Sequence, residues 1–138
     1  MDYCIVSAGI GSRFKPFSNF ANKALAPLPS KPIISLIIES IPSDSKIHIV
    51  TGYLGDDLKS IILEIYRERE IYFYHNNKYE ITGMGDSLIP VLNEISKPLI
   101  ILPNDGIYSS NCLDTKFDES VDKIYKLILA LFPFLYSL

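Results

Sequence analysis

Gly9 and Gly11 follow an apolar run, Tyr3-Cys4-Ile5-Val6, and stand just ahead of Arg13 and Lys23. These residue types in this order suit the gripping of phosphate oxygens. Glycine in such a loop can take positive φ and lets backbone N–H groups approach an anion with no Cβ in the way. Arg13 offers a planar fork of donors and Lys23 a mobile point charge, so the two cations complement each other. A strand running into this loop would form a pocket for a triphosphate.

The spacing excludes two common phosphate-binding signatures. The third glycine and the acidic residue of the dinucleotide fingerprint are missing, and the stretch is not G-x-x-x-x-G-K-[ST]. Ala8-Gly9-Ile10-Gly11-Ser12-Arg13-Phe14-Lys15-Pro16-Phe17-Ser18-Asn19-Phe20-Ala21-Asn22-Lys23-Ala24-Leu25-Ala26-Pro27 instead resembles the signature of nucleotidyltransferases that join a nucleoside triphosphate to a sugar 1-phosphate or to phosphocholine. That signature reads A-G-x-G-[ST]-R-[LF]-x-P-[LF]-[ST]-x-x-x-P-K-x-L-x-P. Every fixed position matches except Asn22, which stands where the family usually carries proline, so a backbone restraint ahead of Lys23 is lost. Lys31-Pro32-Ile33-Ile34, Val50-Thr51-Gly52-Tyr53, Asn76-Asn77 with Gly83 to Leu88, and Leu102-Pro103-Asn104-Asp105 resemble later segments of the family. The likeness extends over residues 1–108.

The resemblance implies in-line attack of an acceptor phosphate oxygen on the α-phosphorus of the triphosphate, with pyrophosphate as leaving group. Arg13 would hold the β- and γ-phosphates, and Lys23 would bridge the α-phosphate and the acceptor. Ala8, Gly9, Gly11, Ser12, Gly83 and Ser87 would bind the nucleotide, with Ala8, Gly9, Gly83 and Ser87 beside its base. Mg²⁺ is the implied cofactor, and Asp105 its carboxylate, because Mg²⁺ needs few protein ligands when phosphate and water supply the rest. Plainer readings compete: Asp105 capping the turn before Gly106, Ser87 capping a helix, Arg13 and Lys23 as surface cations. His48 and His75 are given no role.

The elements that must position these residues follow from periodicity. Tyr3-Cys4-Ile5-Val6, Ile47-His48-Ile49-Val50-Thr51, Ile71-Tyr72-Phe73-Tyr74 and Leu99-Ile100-Ile101-Leu102 read as strands. Between them, helices are expected from Lys31-Pro32 through Ser40, from Gly55 to Arg69 with Leu58, Ile61, Ile62 and Ile65 on one side, and from Gly85 or Asp86 to Ile95. This alternation predicts a three-layer α/β/α, Rossmann-like, mainly parallel sheet of the nucleotide-diphospho-sugar transferase type. Ligands of such sheets sit beyond the carboxyl ends of the strands.

Full-length members of the family continue into an acceptor-binding half that supplies a second metal-binding aspartate. Here only Asp114, Asp118 and Asp122 follow Asp105, so the chain reads as truncated after its nucleotide-binding part. The expected division is a nucleotide-binding core over 1–110, then a linker and an apolar C-terminal helix over 111–138. That helix, Ile124 to Leu138, is shorter than the ~20 residues that cross a bilayer and is interrupted by Pro133. It is read as a packing helix, a candidate surface for homo-oligomers rather than a stable membrane insertion.

Composition narrows the class further. In 138 residues, 48% are hydrophobic and 21% charged, which suits a folded globular chain. A net charge of −3 argues against nucleic acid as the main partner. The expected partners are a nucleoside triphosphate and a small phosphorylated acceptor. Cys4 and Cys112, without metal-ligand spacing, suit free thiols in a reducing compartment. With no basic leader before the first strand, a cytoplasmic location is expected. Two other functions remain open: a catalytically silent nucleotide-binding or subunit-interaction module, and a glycosyltransferase, which would carry Asp-x-Asp where this chain has Asn104-Asp105-Gly106.

Overall fold

Short β-branched runs bounded by glycine and proline become strands, and the amphipathic stretches between them become helices. The computed structural model describes residues 1–109 and Leu113. Four strands, β1 (Asp2–Ser7), β2 (Ile47–Thr51), β3 (Ile71–His75) and β4 (Leu99–Pro103), alternate with three helices, α1 (Ile33–Ser40), α2 (Gly55–Ile65) and α3 (Met84–Glu94). The strands form one sheet in the order β3-β2-β1-β4, and every pairing is parallel. Ile5 stands opposite Ile49, and Cys4 opposite Ile101.

Successive side chains of a strand point to opposite faces, and both faces here are covered. Tyr3, Ile5, Ile47, Ile49, Ile100 and Leu102 face the helices α1 and α2, meeting Ile34, Ile37, Ile38, Leu58 and Ile62. Cys4, Val6, Val50, Leu99 and Ile101 face α3 and meet Leu88 and Val91. The three-layer α/β/α sandwich is therefore the fold. Burial on two sides explains why β4 reads as an unbroken apolar run.

Strand order decides where a ligand can sit. From β1 the chain steps to β2 and on to β3, then returns across the sheet to lay β4 on the other side of β1. The connections leave β1 in opposite directions and open a crevice between the carboxyl ends of β1 and β4.

Two expectations about α2 fail. It stops at Ile65, not Arg69, because Tyr66 leaves helical geometry while its N–H still bonds Ile62 O. Beyond it, the Arg69 guanidinium donates to the carbonyls of Ile41 and Pro42 at 3.0–3.4 Å, and Tyr66 Oη donates to Glu39 Oε1 at 3.1 Å. These tertiary bonds draw the chain off the helical path. The buried stripe shrinks to Leu58 and Ile62, Tyr66 packs against the core, and Ile61 and Ile65 are exposed.

Leu113, in the segment expected to be a linker, is buried in the same core, and its carbonyl accepts a hydrogen bond from Tyr3 Oη at 2.6 Å. The apolar C-terminal helix, its suggested self-association, Cys112 and Asp114, Asp118 and Asp122 lie outside the described residues. Among the described residues no helix is long and apolar enough to cross a membrane.

Candidate functional site

The carboxyl end of β1 is held close to that of β2. Tyr53 N–H donates to Ala8 O at 3.1 Å, and a Cβ on Gly52 would stand 2.5 Å from that same oxygen. Only glycine lets the two segments approach so nearly. Past Ala8 and Gly9 the chain turns at Gly11, with φ 68° and ψ 38°, into the 3₁₀ turn Ser12–Phe14. Of the two N-terminal glycines only Gly11 takes positive φ. Gly9 instead leaves open space, since nothing lies within 4 Å of where its Cβ would be.

Lys23 opens the third 3₁₀ turn of the chain, Lys23–Leu25, whose N-cap is Asn22. Asn22 is wholly buried. Its Nδ2 donates to Ser7 O at 3.1 Å and to Tyr53 O at 2.7 Å, and its Oδ1 accepts from Ala24 N–H at 3.0 Å. The restraint expected to vanish with the missing proline is thus supplied by a carboxamide. On the other side a Cβ at Gly11 would stand 3.2 Å from Lys23 Cβ, so the glycine turn rests against Lys23.

Across the crevice, β4 ends at Asn104-Asp105. Asn104 is buried and its Nδ2 donates to Ser7 Oγ at 3.0 Å, tying the ends of β4 and β1. Asp105 is thereby turned outward, and Lys23 Nζ donates to its Oδ2 at 3.5 Å. Tyr108 folds back over Gly106 and donates to Pro103 O at 2.8 Å. Burial, with the Asp105 charge adding to it, pushes the Tyr108 phenol up to about 12, so it stays a donor at neutral pH.

The third wall is the start of α3. Asn76 Nδ2 donates to Thr82 Oγ1 at 2.8 Å and to Ser87 Oγ at 2.9 Å, and Ser87 Oγ donates to Gly83 O at 3.1 Å. The N-cap of α3 is Gly83, so Ser87 does not cap the helix; it bonds back within the first turn and also lines the site. The amino end of α3 meets the crevice through Gly83 and Met84, and Asp86 Oδ2 accepts from Gly83 N–H at 3.2 Å, setting a carboxylate at the positive end of the helix dipole.

The walls enclose a cleft of about 140 Å³. Of the residues expected from sequence, Ala8, Gly9, Lys23, Gly83, Ser87 and Asp105 all line it. Gly11 borders it through Lys23. Ser12 and Arg13 lie on the exposed 3₁₀ turn, outside the lining, and among the described residues Arg13 has no ion-pair partner. Tyr79, Thr82 and Asn104 line the cleft as well; Thr82 and Asn104 lie in segments expected at this edge, but none of the three was given a role from sequence. Asn22 had a signal, its break with the pattern, and Asn76 another, its place in the Asn76-Asn77 segment of the resemblance; Ser7 and Tyr108 had none beyond proximity to the motifs.

Asp105 is the one carboxylate in the lining, and among the described residues no group of three or more His, Cys, Asp or Glu could hold a metal. A lone, exposed carboxylate beside a cation fits a metal that shares its remaining positions with phosphate and water. Cys4, by contrast, is sealed within the sheet, and burial pushes its thiol up to about 12. It takes no part in the site.

A parallel α/β sheet with a glycine loop, a lysine and an aspartate meeting at its switch point belongs to the class of open α/β folds that take ligands beyond the carboxyl ends of their strands. No family model matches the chain. It is 31% identical over 121 residues to the bifunctional protein GlmU of Methanococcus vannielii, covering 83% of this chain and 27% of that one. It is also 31% identical over 122 residues to the CTP:phosphoglutamine cytidylyltransferase of Campylobacter jejuni, covering 82% of this chain and 47% of that one. Among solved structures, CTP:phosphocholine cytidylyltransferase from Streptococcus pneumoniae superposes with a TM-score of 0.66 at 25% identity, over 80% of this chain and 49% of its own. In sequence and in fold the chain is similar to nucleotidyltransferases. It spans between about a quarter and a half of the length of these curated relatives.

Proposed function

We propose that this chain is the nucleotide-binding part of a nucleotidyltransferase that moves a nucleoside monophosphate from its triphosphate to a small phosphorylated acceptor, such as a sugar 1-phosphate or a phosphocholine-like alcohol phosphate. The observation that carries the reading is the meeting of Lys23 and Asp105, 82 residues apart in sequence and 3.5 Å apart in space, over a cleft lined by Ala8 and Gly9.

Such a site works by positioning and charge. The acceptor phosphate oxygen forms a bond to the α-phosphorus as the bond from that phosphorus to the β-bridging oxygen breaks, and pyrophosphate leaves with the electron pair. Lys23 Nζ neutralises charge on the α-phosphate and the incoming acceptor. Backbone groups of Ala8 and Gly9 and the amino end of α3 hold the nucleotide. Asp105 would hold Mg²⁺, which when bound supplies further charge neutralisation on the polyphosphate. Arg13, on its exposed turn, reaches the outer phosphates only if a ligand extends past Gly11. Because Lys23 and Asp105 are paired in the free protein, a phosphate and a divalent cation would each take one member of an existing ion pair.

The test is a melting-temperature screen of the full chain with CTP, UTP, ATP and GTP, each with Mg²⁺. A ligand of the folded state stabilises by about 2.7 kcal/mol at a hundredfold excess over its Kd, so at least one nucleotide should raise the midpoint. No rise with any of them refutes the reading. Asp105→Asn, at an exposed position, should leave the melting temperature unchanged and abolish pyrophosphate release. With only one carboxylate in the lining, a second reading stands beside the first: binding without turnover. Triphosphate binding with no pyrophosphate release across a panel of phosphorylated acceptors would select it.

A further inference from the structure

We infer that Asn22 is a positioning residue for nucleotidyl transfer, its buried carboxamide fixing the backbone of Lys23 so that the Lys23 ammonium stands over the cleft; this rests on the nucleotidyltransferase reading above. Three features carry it. Asn22 is 0% exposed, yet it lies in a connection between the glycine loop and α1, where loop asparagines usually face water. Its hydrogen-bonding capacity is spent on main-chain atoms of three separate segments: the end of β1 through Ser7 O, the end of β2 through Tyr53 O, and the Lys23–Leu25 turn through Ala24 N–H. Its immediate neighbour is the cation of the cleft.

The chemistry demands an amide. Both acceptors are carbonyls, so the group between them must donate twice, while the Ala24 N–H needs an acceptor on the same side chain. Aspartate has nearly the same shape, but its charged oxygens would face the carbonyls of Ser7 and Tyr53. Alanine would take this partner from both carbonyls and the N–H, and the bonds to Ser7 O and from Ala24 N–H are buried. Lysine has a long flexible stem, and holding its backbone limits where its ammonium can travel. The Gly11 turn, pressed on Lys23 Cβ, closes the other side.

The experiment is a double-mutant cycle by calorimetry on the full chain. The probe is whichever of CTP, UTP, ATP or GTP, with Mg²⁺, gives the largest melting shift. Asn22→Asp and Asn22→Ala are each measured with Lys23 present and in the Lys23→Ala background, and every variant is melted without ligand. Coupled residues show non-additive effects, so each Asn22 substitution should weaken binding about tenfold when Lys23 is present and less than about twofold when it is absent. Equal losses in both backgrounds overturn the role and assign Asn22 to general support of the cleft. If both variants are unfolded at the assay temperature, Asn22 serves the fold and the inference is likewise overturned. Wild-type protein that binds none of the nucleotides overturns the nucleotide reading itself and this inference with it, whereas wild-type binding with additive losses overturns the Asn22 role alone.

Discussion

Replacing Gly52 with alanine should damage the fold and the cleft together. The added Cβ would lie 2.5 Å from Ala8 O, 2.8 Å from Tyr79 Cβ and 3.0 Å from Ala8 Cα. The shortest of these falls about 0.9 Å below the 3.4 Å at which ordinary contact begins. Two of the three atoms are main chain, so relief requires the β1 and β2 ends to separate. Overpacking of this kind costs about 1–3 kcal/mol, and losing the Tyr53 N–H to Ala8 O bond adds about 1 kcal/mol. A chain of this size should then melt on the order of 10 °C lower. Differential scanning calorimetry measures that loss, and nucleotide titration of the folded variant should show weakened binding because Ala8 lines the cleft. Gly9→Ala is the matched control. It meets nothing within 4 Å, so its stability should stay within about 0.5 kcal/mol of wild type while binding falls, since its new methyl group enters the lining. A Gly52→Ala protein melting within about 2 °C of wild type would show that the close approach of β1 and β2 does not hold as described.

Ser7→Ala removes the acceptor of a buried amide, leaving Asn104 Nδ2 without Ser7 Oγ. Urea unfolding should register a loss of about 1–3 kcal/mol, and a change under about 0.5 kcal/mol would count against the tie. Alkaline pH should destabilise the protein through Cys4. Burial raises its thiol from the ordinary 9.0 to about 12, so between those values the unfolded chain binds fewer protons and stability falls as pH rises. Tyr74 and Tyr108, each raised to about 12 from 10.0, should steepen the fall above pH 10. Cys4→Ala should flatten the stretch between 9 and 10 in a plot of urea midpoint against pH.

The four strands were legible because each is a β-branched or aromatic run ended by glycine, proline or a polar residue, and the structure extends three of them by a residue or two without moving their centres. The convergence of Gly9, Lys23 and Asp105 was legible too, since it follows from a motif and from the rule that parallel strands present ligands at their carboxyl ends. Strand order was not. The link from β3 to β4 has a helix like the others, and nothing in its length says that it returns past β1. The end of α2 was hidden because Arg69 terminates it from outside by bonding carbonyls that follow α1. The Asn22 and Asn104 ties were hidden for a related reason. Asparagine in a loop satisfies ordinary turn chemistry equally well, and only the fold shows that these two reach other strands. Arg13 shows the limit of motif reasoning. Its spacing from the glycines is as expected, and it stands on the exposed turn that follows Gly11, beside the cleft rather than in its lining.

The bond between Ser7 and Asn104 joins residues 97 positions apart, and the cleft has one of these strand ends on each side. Both walls are present only once the chain runs from Ser7 all the way to Asn104. During synthesis the glycine loop emerges long before its counterpart, and a nascent or clipped chain lacking β4 has half a binding site. Nucleotide capture would therefore report that the whole sheet has closed, and an abundant cellular nucleotide would favour the finished molecule over every intermediate that precedes it.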